Sequence, residues 1–347
     1  YGDHRDLHLS LRRQRQMCIR DRYPSTRLRR LRQSESIIDL TSECAVTKND
    51  LIQPVFVKEG LSDKEPIESM PGIFRFGEDS VLKEIEEINQ LGIRAIAIFP
   101  VIDPSKKDSK GTEATKRDNF ISRVLGSIKS KFPEMLVIAD VALDPYTDHG
   151  HDGILENDEI LNDQTLEVLA EQSLVLAEAG ADIIAPSDMM DGRIGVIRKK
   201  LDENNFEDKI ILSYAAKYNS KFYGPFRDAV NSKNNLGTSD KSSYQMNPAN
   251  SLEALNEVAM DIEEGADIVM VKPGMPYLDI ISKIKEEFKV PTFAYQVSGE
   301  YAMIMESVNK GWLDKGVIIE SLTSFKRAGA DAVLTYFAKD LIKEFNL

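Results

Sequence analysis

Four stretches of the chain read almost alike: LGIRAIAIFP (residues 91–100), AGADIIAP (179–186), EGADIVMVKP (264–273) and AGADAVLTYF (328–337). In each, a glycine is followed almost at once by an apolar, β-branched run. A glycine at that place suits the left-handed residue that ends a helix. Each stretch is therefore a joint where a helix stops and a strand starts. Working outward, similar runs recur at LIQPVFV (51–57), MLVIADV (135–141), KIILSY (209–214) and TFAYQV (292–297). None alternates polar with apolar, so all read as strands buried on both faces. Amphipathic segments of helical length lie between them. In 163–179, for example, Leu166, Leu169, Ala170, Leu174 and Ala177 share one helical face. Eight strands separated by helices predict an α/β fold, a (β/α)8 or TIM barrel. A doubly wound open sheet is the alternative. No G-x-G-x-x-G or Walker A loop follows the first strand, which argues against a nucleotide-binding sheet.

The chain has 347 residues and a net charge of −13, with two cysteines and four histidines. That length suffices for one large core. So few cysteines exclude a disulfide scaffold and a thiolate zinc cluster within one chain. No apolar run reaches the roughly 18 residues a membrane span requires. The acidic balance argues against nucleic acid as a partner. Residues 1–22 differ from the rest: six arginines against three aspartates give them a net charge of +3. They also contain Cys18, His4 and His8. The run SLRRQRQMCIRDR (10–22) resembles a translated sequencing adapter, and we set it apart as foreign to the fold or disordered, an Arg-rich transit peptide being the alternative. Residues 23–50, polar and basic at first, are expected to form an arm ahead of a catalytic barrel spanning 51–347. The Asn/Ser/Gly/Lys-rich stretch 231–250 is too long for a simple connection and reads as part of a lid over about 218–250.

In such barrels chemistry lies at the carboxyl ends of the strands. Polar residues mark those ends here: Asp140, Ser187 and Asp188, Lys217, Lys272, Ser298, then Thr335 and Tyr336. Lys272 ends the apolar run IVMVK. A lysine there either snorkels to the rim or serves as an amine nucleophile toward a carbonyl. Lys217 supplies either a second ammonium, which would depress the first amine's pKa, or a second nucleophile. In the lid, Arg227 offers a bidentate fork for a carboxylate. Lys221, Lys233 and Lys241 are further basic residues there, and Phe222, Tyr223 and Phe226 form an aromatic cluster. The segment DVALDPYTDHGHDG (140–153) concentrates Asp140, Asp144, Asp148, His149, His151 and Asp152. It suits either a hard or mixed-ligand metal site or a turn-rich loop.

From about Tyr23 onward the chain resembles the 5-aminolevulinate dehydratase (porphobilinogen synthase) family. The resemblance rests on LIQPVFVKEG, SMPGIFRF, IADVALDPYTDHGHDG, APSDMMDGRIG, SYAAKYNSKFYGPFRDAV, VMVKPGMPYLDI, YQVSGEYAM and ESLTSFKRAGADAVLTYFAK. It implies a lyase that condenses two molecules of 5-aminolevulinate to porphobilinogen with loss of two waters, in tetrapyrrole and haem synthesis. It implies imines on Lys217 (A-side substrate) and Lys272 (P-side substrate). Arg227, Lys241 and Gln245 would hold the A-side carboxylate, and Ser298 and Tyr336 the P-side carboxylate. Asp140, Ser187 and Asp188 would surround the P-side amine and Lys272, under an aromatic lid of Phe222, Tyr223 and Phe226.

Zinc-type members carry three cysteines where this chain has Ala142, Asp144 and Asp152, so thiolate-bound Zn²⁺ is not expected. The pattern resembles the aspartate-rich, magnesium-responsive branch. That implies allosteric activation by Mg²⁺ through Glu257, with Asp144 and Asp152 as candidate ligands inside the pocket. The resemblance further implies a homo-octamer of arm-exchanged dimers. A cytoplasmic location is expected, with the plastid stroma as alternative. A class I aldolase, needing one Schiff-base lysine, and a non-catalytic barrel are the competing readings.

Overall fold

The computed structural model describes residues 24–230, 240–345 and 347. The extension 1–22 and Lys233 lie outside them. Of the described residues, those up to Ala45 form one compact unit and those from Val46 onward a second. The first contains a 3-10 turn (Leu28–Arg32) and a short helix (Glu35–Leu40), with no buried residue among those described. The second begins five residues ahead of the expected boundary. Val46 is buried, Asp50 accepts from the backbone N–H and hydroxyl of Thr47, and it pairs with Lys326 at 2.9 Å.

The eight expected strands are present: β1 (Leu51–Lys58), β2 (Ala95–Val101), β3 (Leu136–Val141), β4 (Ile183–Pro186), β5 (Ile210–Lys217), β6 (Ile268–Lys272), β7 (Thr292–Gln296) and β8 (Ala332–Thr335). All pair in parallel with their neighbours in sequence, and β1 closes the ring on β8 through Leu51↔Val333 and Ile52↔Leu334. The fold is a closed TIM barrel. Helices cover it: α1 (Glu78–Gln90), α2 (Phe120–Lys131), α3 (Asn162–Glu178), α4 (Arg193–Asp202), α5 (Leu252–Glu264), α6 (Leu278–Phe288), α7 (Ser298–Asn309), α8 (Gly316–Ala328) and α9 (Ala338–Phe345). No described helix is long and apolar enough to cross a membrane. A short hairpin, Lys64–Pro66 with Phe74–Phe76, extends the sheet beside β1, where Arg75 is the register partner of Phe56.

The four joints end their helices as expected, with Gly92, Gly180, Gly265 and Gly329 all at positive φ. Their aspartates do more than start a strand. Asp182 donates its N–H to the carbonyl of Val137 at 3.0 Å and accepts the N–H of the same residue on its carboxylate at 2.8 Å. Asp267 makes the same pair of bonds with Ile211, at 3.0 and 2.8 Å. Asp331 makes it with Thr292, at 2.8 and 2.7 Å. Each carboxylate thus satisfies a backbone donor near the start of the preceding strand, a group costly to leave unpaired. The first joint has Arg94 there and offers only its carbonyl, to Leu136 at 2.9 Å.

This clasp predicts a stability effect separable from activity. Asp267→Ala, which strands the Ile211 N–H, should cost about 1–3 kcal/mol in urea unfolding. Asp267→Asn, which keeps an acceptor oxygen, should cost less than half of that.

Candidate active site

The carboxyl ends of β3 to β8 converge on one polar centre. Lys217 is the last residue of β5 rather than a loop residue after it, and Lys272 is the last of β6. They are direct register partners. Paired residues on parallel strands point to the same face and sit about 4.8 Å apart. An irregularity between Val269 and Val271 makes this possible: Val269 pairs with Ser213, but Val271 pairs with Ala216, so β5 carries one extra residue.

The two amines meet different surroundings. Lys217 donates to the carbonyl of Ser187 and lies 3.6 Å from Asp152. Lys272 instead faces aromatic rings. Its Nζ is 4.8 Å from the centroid of Tyr295, 4.9 Å from Tyr214, 5.1 Å from Phe226 and 5.5 Å from Tyr223. Burial first, and the neighbouring Lys217 ammonium second, push its pKa down to about 7, against the pull of Asp140, Asp144 and Asp152. Tyr214 and Tyr295 escape a reading of sequence alone. Their only signal is a tyrosine within a buried strand.

The carboxylates divide in the same way. Burial raises Asp140 to about 6, although Lys272 opposes it. Burial also raises Asp188 to about 6 against Arg193, whose Nε is 3.8 Å away; Asp188 accepts the N–H of Met190 at 2.8 Å. Asp152 goes the other way: the Lys217 and Lys241 ammoniums outweigh its burial and hold it at about 2. Lys241 lies 2.8 Å from Asp152 and 3.3 Å from Asp144. An ammonium therefore already bridges the two carboxylates expected as pocket metal ligands. With Ala142 contributing nothing, Asp144 and Asp152 do not fit a divalent ion. No cluster of three or more metal-ligating side chains occurs among the described residues. His149 and His151 turn to Ser109 and to the Tyr244 hydroxyl.

The lid residues also assemble here. Tyr223 donates to the carbonyl of Lys272 at 3.0 Å. Ser298 accepts the N–H of Phe226 at 2.8 Å. Phe222 comes so close to Gly299 that a Cβ there would lie 2.4 Å from its carbonyl oxygen. Tyr336 shares a hydrogen bond of 2.8 Å with Tyr295. Gln245 and Lys241 are buried, Arg227 is half-buried and Lys221 is exposed. Glu300 adds a support that the sequence reading missed. It is fully buried and accepts from Met275 at 2.6 Å and Val297 at 2.5 Å, tying the loops after β6 and β7 together. Glu257 lies on α5, beside a cavity of about 620 Å³ that Asp191, Glu253 and the lid residues Tyr244 and Gln245 also line.

The family model for delta-aminolevulinic acid dehydratase matches residues 25–344. A relative of that name from Bradyrhizobium diazoefficiens is 54% identical over 90% of this chain and 88% of its own length. One from Methanothermus sociabilis is 50% identical over 93% of this chain and 99% of its own. This chain belongs to the delta-aminolevulinic acid dehydratase family. A crystal structure of the Toxoplasma gondii dehydratase, in complex with the reaction product porphobilinogen, superposes with a TM-score of 0.90 at 46% identity, covering 92% of each chain. The dehydratase family thus accounts for the barrel from the arm to the last helix.

The dehydratase site makes a prediction that needs no substrate. A lysine amine reacts when unprotonated, so labelling of Lys272 by an amine-directed reagent should rise with pH through a midpoint near 7. An ordinary lysine titrates near about 10.4. Lys217→Met should move the midpoint upward. Peptide mass spectrometry of labelled samples reads both.

Proposed function

We propose that this chain condenses two molecules of 5-aminolevulinate to porphobilinogen through imines on Lys217 and Lys272. The observation that carries the reading is the register pairing of two buried lysines on β5 and β6, one with its pKa pushed down to about 7. Each amine attacks one substrate ketone, and each imine forms with release of one water. The later C–C and C–N bonds between the substrates expel the two lysine amines. The enzyme is thus regenerated and two waters are lost in all. Holding both substrates on adjacent strands converts a bimolecular encounter into a positioned one.

Lys272 in its aromatic cage is the better nucleophile near neutrality, which supports early capture of the P-side substrate. Asp140 and Asp188, both raised to about 6 by burial, are poised to exchange protons near pH 6–7. Ser298 and Tyr336 supply hydroxyls for the P-side carboxylate, with Ser187 and its neighbours around the amine. Arg227 and Gln245 face the A-side carboxylate. Lys241 joins them once its pairing with Asp144 and Asp152 loosens. Phe222, Tyr223 and Phe226 keep water from the imines.

We further propose that Mg²⁺ activates the enzyme through Glu257, as in the magnesium-responsive branch. Burial, together with the negative charges of Asp261, Asp191 and Glu253, raises the Glu257 pKa against the pull of Arg193. A divalent cation would relieve that crowding, and one carboxylate plus waters is a usual Mg²⁺ environment. The metal would supply neutralising charge there. We also propose a homo-oligomer, an octamer of arm-exchanged dimers, supported by the exposed Leu28, Leu31, Ile38 and Leu40 of the arm.

The purified chain should convert 5-aminolevulinate to a pyrrole. Borohydride with labelled substrate should mark Lys272, and Lys272→Met should abolish both product and label. Absence of pyrrole from the wild-type chain would sink the assignment. Chelation should lower the rate and Mg²⁺ alone should restore it. Glu257→Ala should lose that response while Lys272 still traps substrate; a full Mg²⁺ response in this variant would refute the activator site.

A further inference from the structure

The motif SMPGIFRF (69–76) has no part in the chemistry above, yet it reaches into the lid. It forms the second strand of the hairpin beside β1, and its Arg75 is only 7% exposed. Two of its three guanidinium nitrogens serve one short helix, Gly224–Ala229, some 150 residues further along the chain. Nε donates to the carbonyl of Ala229 at 2.5 Å and Nη2 to that of Asp228 at 2.6 Å. Nη1 pairs with Glu65 of the same hairpin at 3.0 Å. Ser69, at the start of the motif, donates to the Asp228 carboxylate at 2.5 Å. Carbonyls at a helix end lack partners within the helix, and a charged donor fork satisfies two at once.

The other end of that helix is held by Ser298 through the N–H of Phe226. Phe226 is thus anchored directly, and Arg227 stands between the two anchors. Phe226 packs edge-on against Phe99 with centroids 5.4 Å apart, touches Phe56 at 5.7 Å and covers Lys272. The same fork therefore sets how Arg227 and Phe226 are presented to the site.

We propose that Arg75, seconded by Ser69, is a positioning residue that latches the Gly224–Ala229 helix and thereby sets the affinity for the second, A-side substrate. This rests on the function proposed above. Arg75 touches no substrate; it acts through Arg227. Lys272 itself is fixed on β6, with the rings of Tyr214 and Tyr295 on the neighbouring strands, so loosening the latch frees only the Phe226 side of its cage and weakens the A-side substrate far more than the P-side imine.

The test uses Arg75→Gln in the full chain. KM for 5-aminolevulinate should rise about tenfold, as expected for losing roughly one charge-assisted hydrogen bond's worth of positioning. kcat should change less than about threefold. Borohydride trapping at Lys272 should stay at the wild-type level. Because Arg75 acts through Arg227, Arg75→Gln should add nothing to the KM of Arg227→Gln; additive effects would mean an unconnected structural role and overturn the proposal. So would an unchanged KM. Should Arg75→Gln fail to fold, Arg75→Lys and Ser69→Ala carry the test: a rise in KM of about threefold is expected in each, and no rise in either refutes it. Tryptic cleavage after Arg227 supplies an arm independent of turnover. It should accelerate in the Arg75 variants and not in Lys272→Met. A wild-type chain that makes no pyrrole overturns the catalytic reading, whereas unaltered cleavage and KM in active variants overturn the latch.

Discussion

Two lysines buried side by side are costly to hold, and much of this molecule answers that cost. Each ammonium loses hydration and repels the other, so they cannot both be charged without compensation. The protein resolves the conflict asymmetrically. Lys217 keeps a carboxylate, Asp152, and a carbonyl, that of Ser187. Lys272 is given rings, which favour a cation weakly and a neutral amine without penalty. A third ammonium, Lys241, locks Asp152 and Asp144 in place, so the negative charge that steadies Lys217 is itself steadied. Removing any one of these groups would leave a partner buried and unbalanced.

The same asymmetry orders the chemistry. The group whose amine is free near neutrality is the one under the aromatic lid, shielded from water that would hydrolyse its imine. The other, Lys217, shares the carboxylate of Asp152 with the lid residue Lys241. A single electrostatic arrangement thus separates the roles of two chemically identical side chains.

Much of this was legible in the chain itself. The glycine-plus-run joints gave strand starts to within a residue or two, because a helix end followed directly by a buried strand is a local event. Lys272 stood out because an amine inside IVMVK is a local contradiction. The run KIILSY stops three residues short of Lys217 because AAK, small and then charged, does not look like the end of a strand. The hairpin at 64–76 and the hold of Arg75 on Asp228 and Ala229 were invisible, since nothing near either segment names its partner. The bridging of Asp144 and Asp152 by Lys241 was equally hidden: a cluster of acids shows where a cation is wanted but not that the chain brings its own.

The extra residue in β5 has a meaning for how this sequence can change. Near its start, β5 is keyed to the residue just ahead of β6 by the two hydrogen bonds between Asp267 and Ile211. From there the strands run in step until the irregularity shifts the count by one. Had they stayed in step, Lys272 would stand opposite Ala216, and Lys217 would point to the other side of the sheet. The pair of amines therefore exists only in one reading frame of strand against strand. Loops elsewhere on the barrel can gain or lose residues and leave the pair intact. A single insertion or deletion between Ile211 and Lys217 would turn one amine outward, and no later compensation within the loops could bring it back.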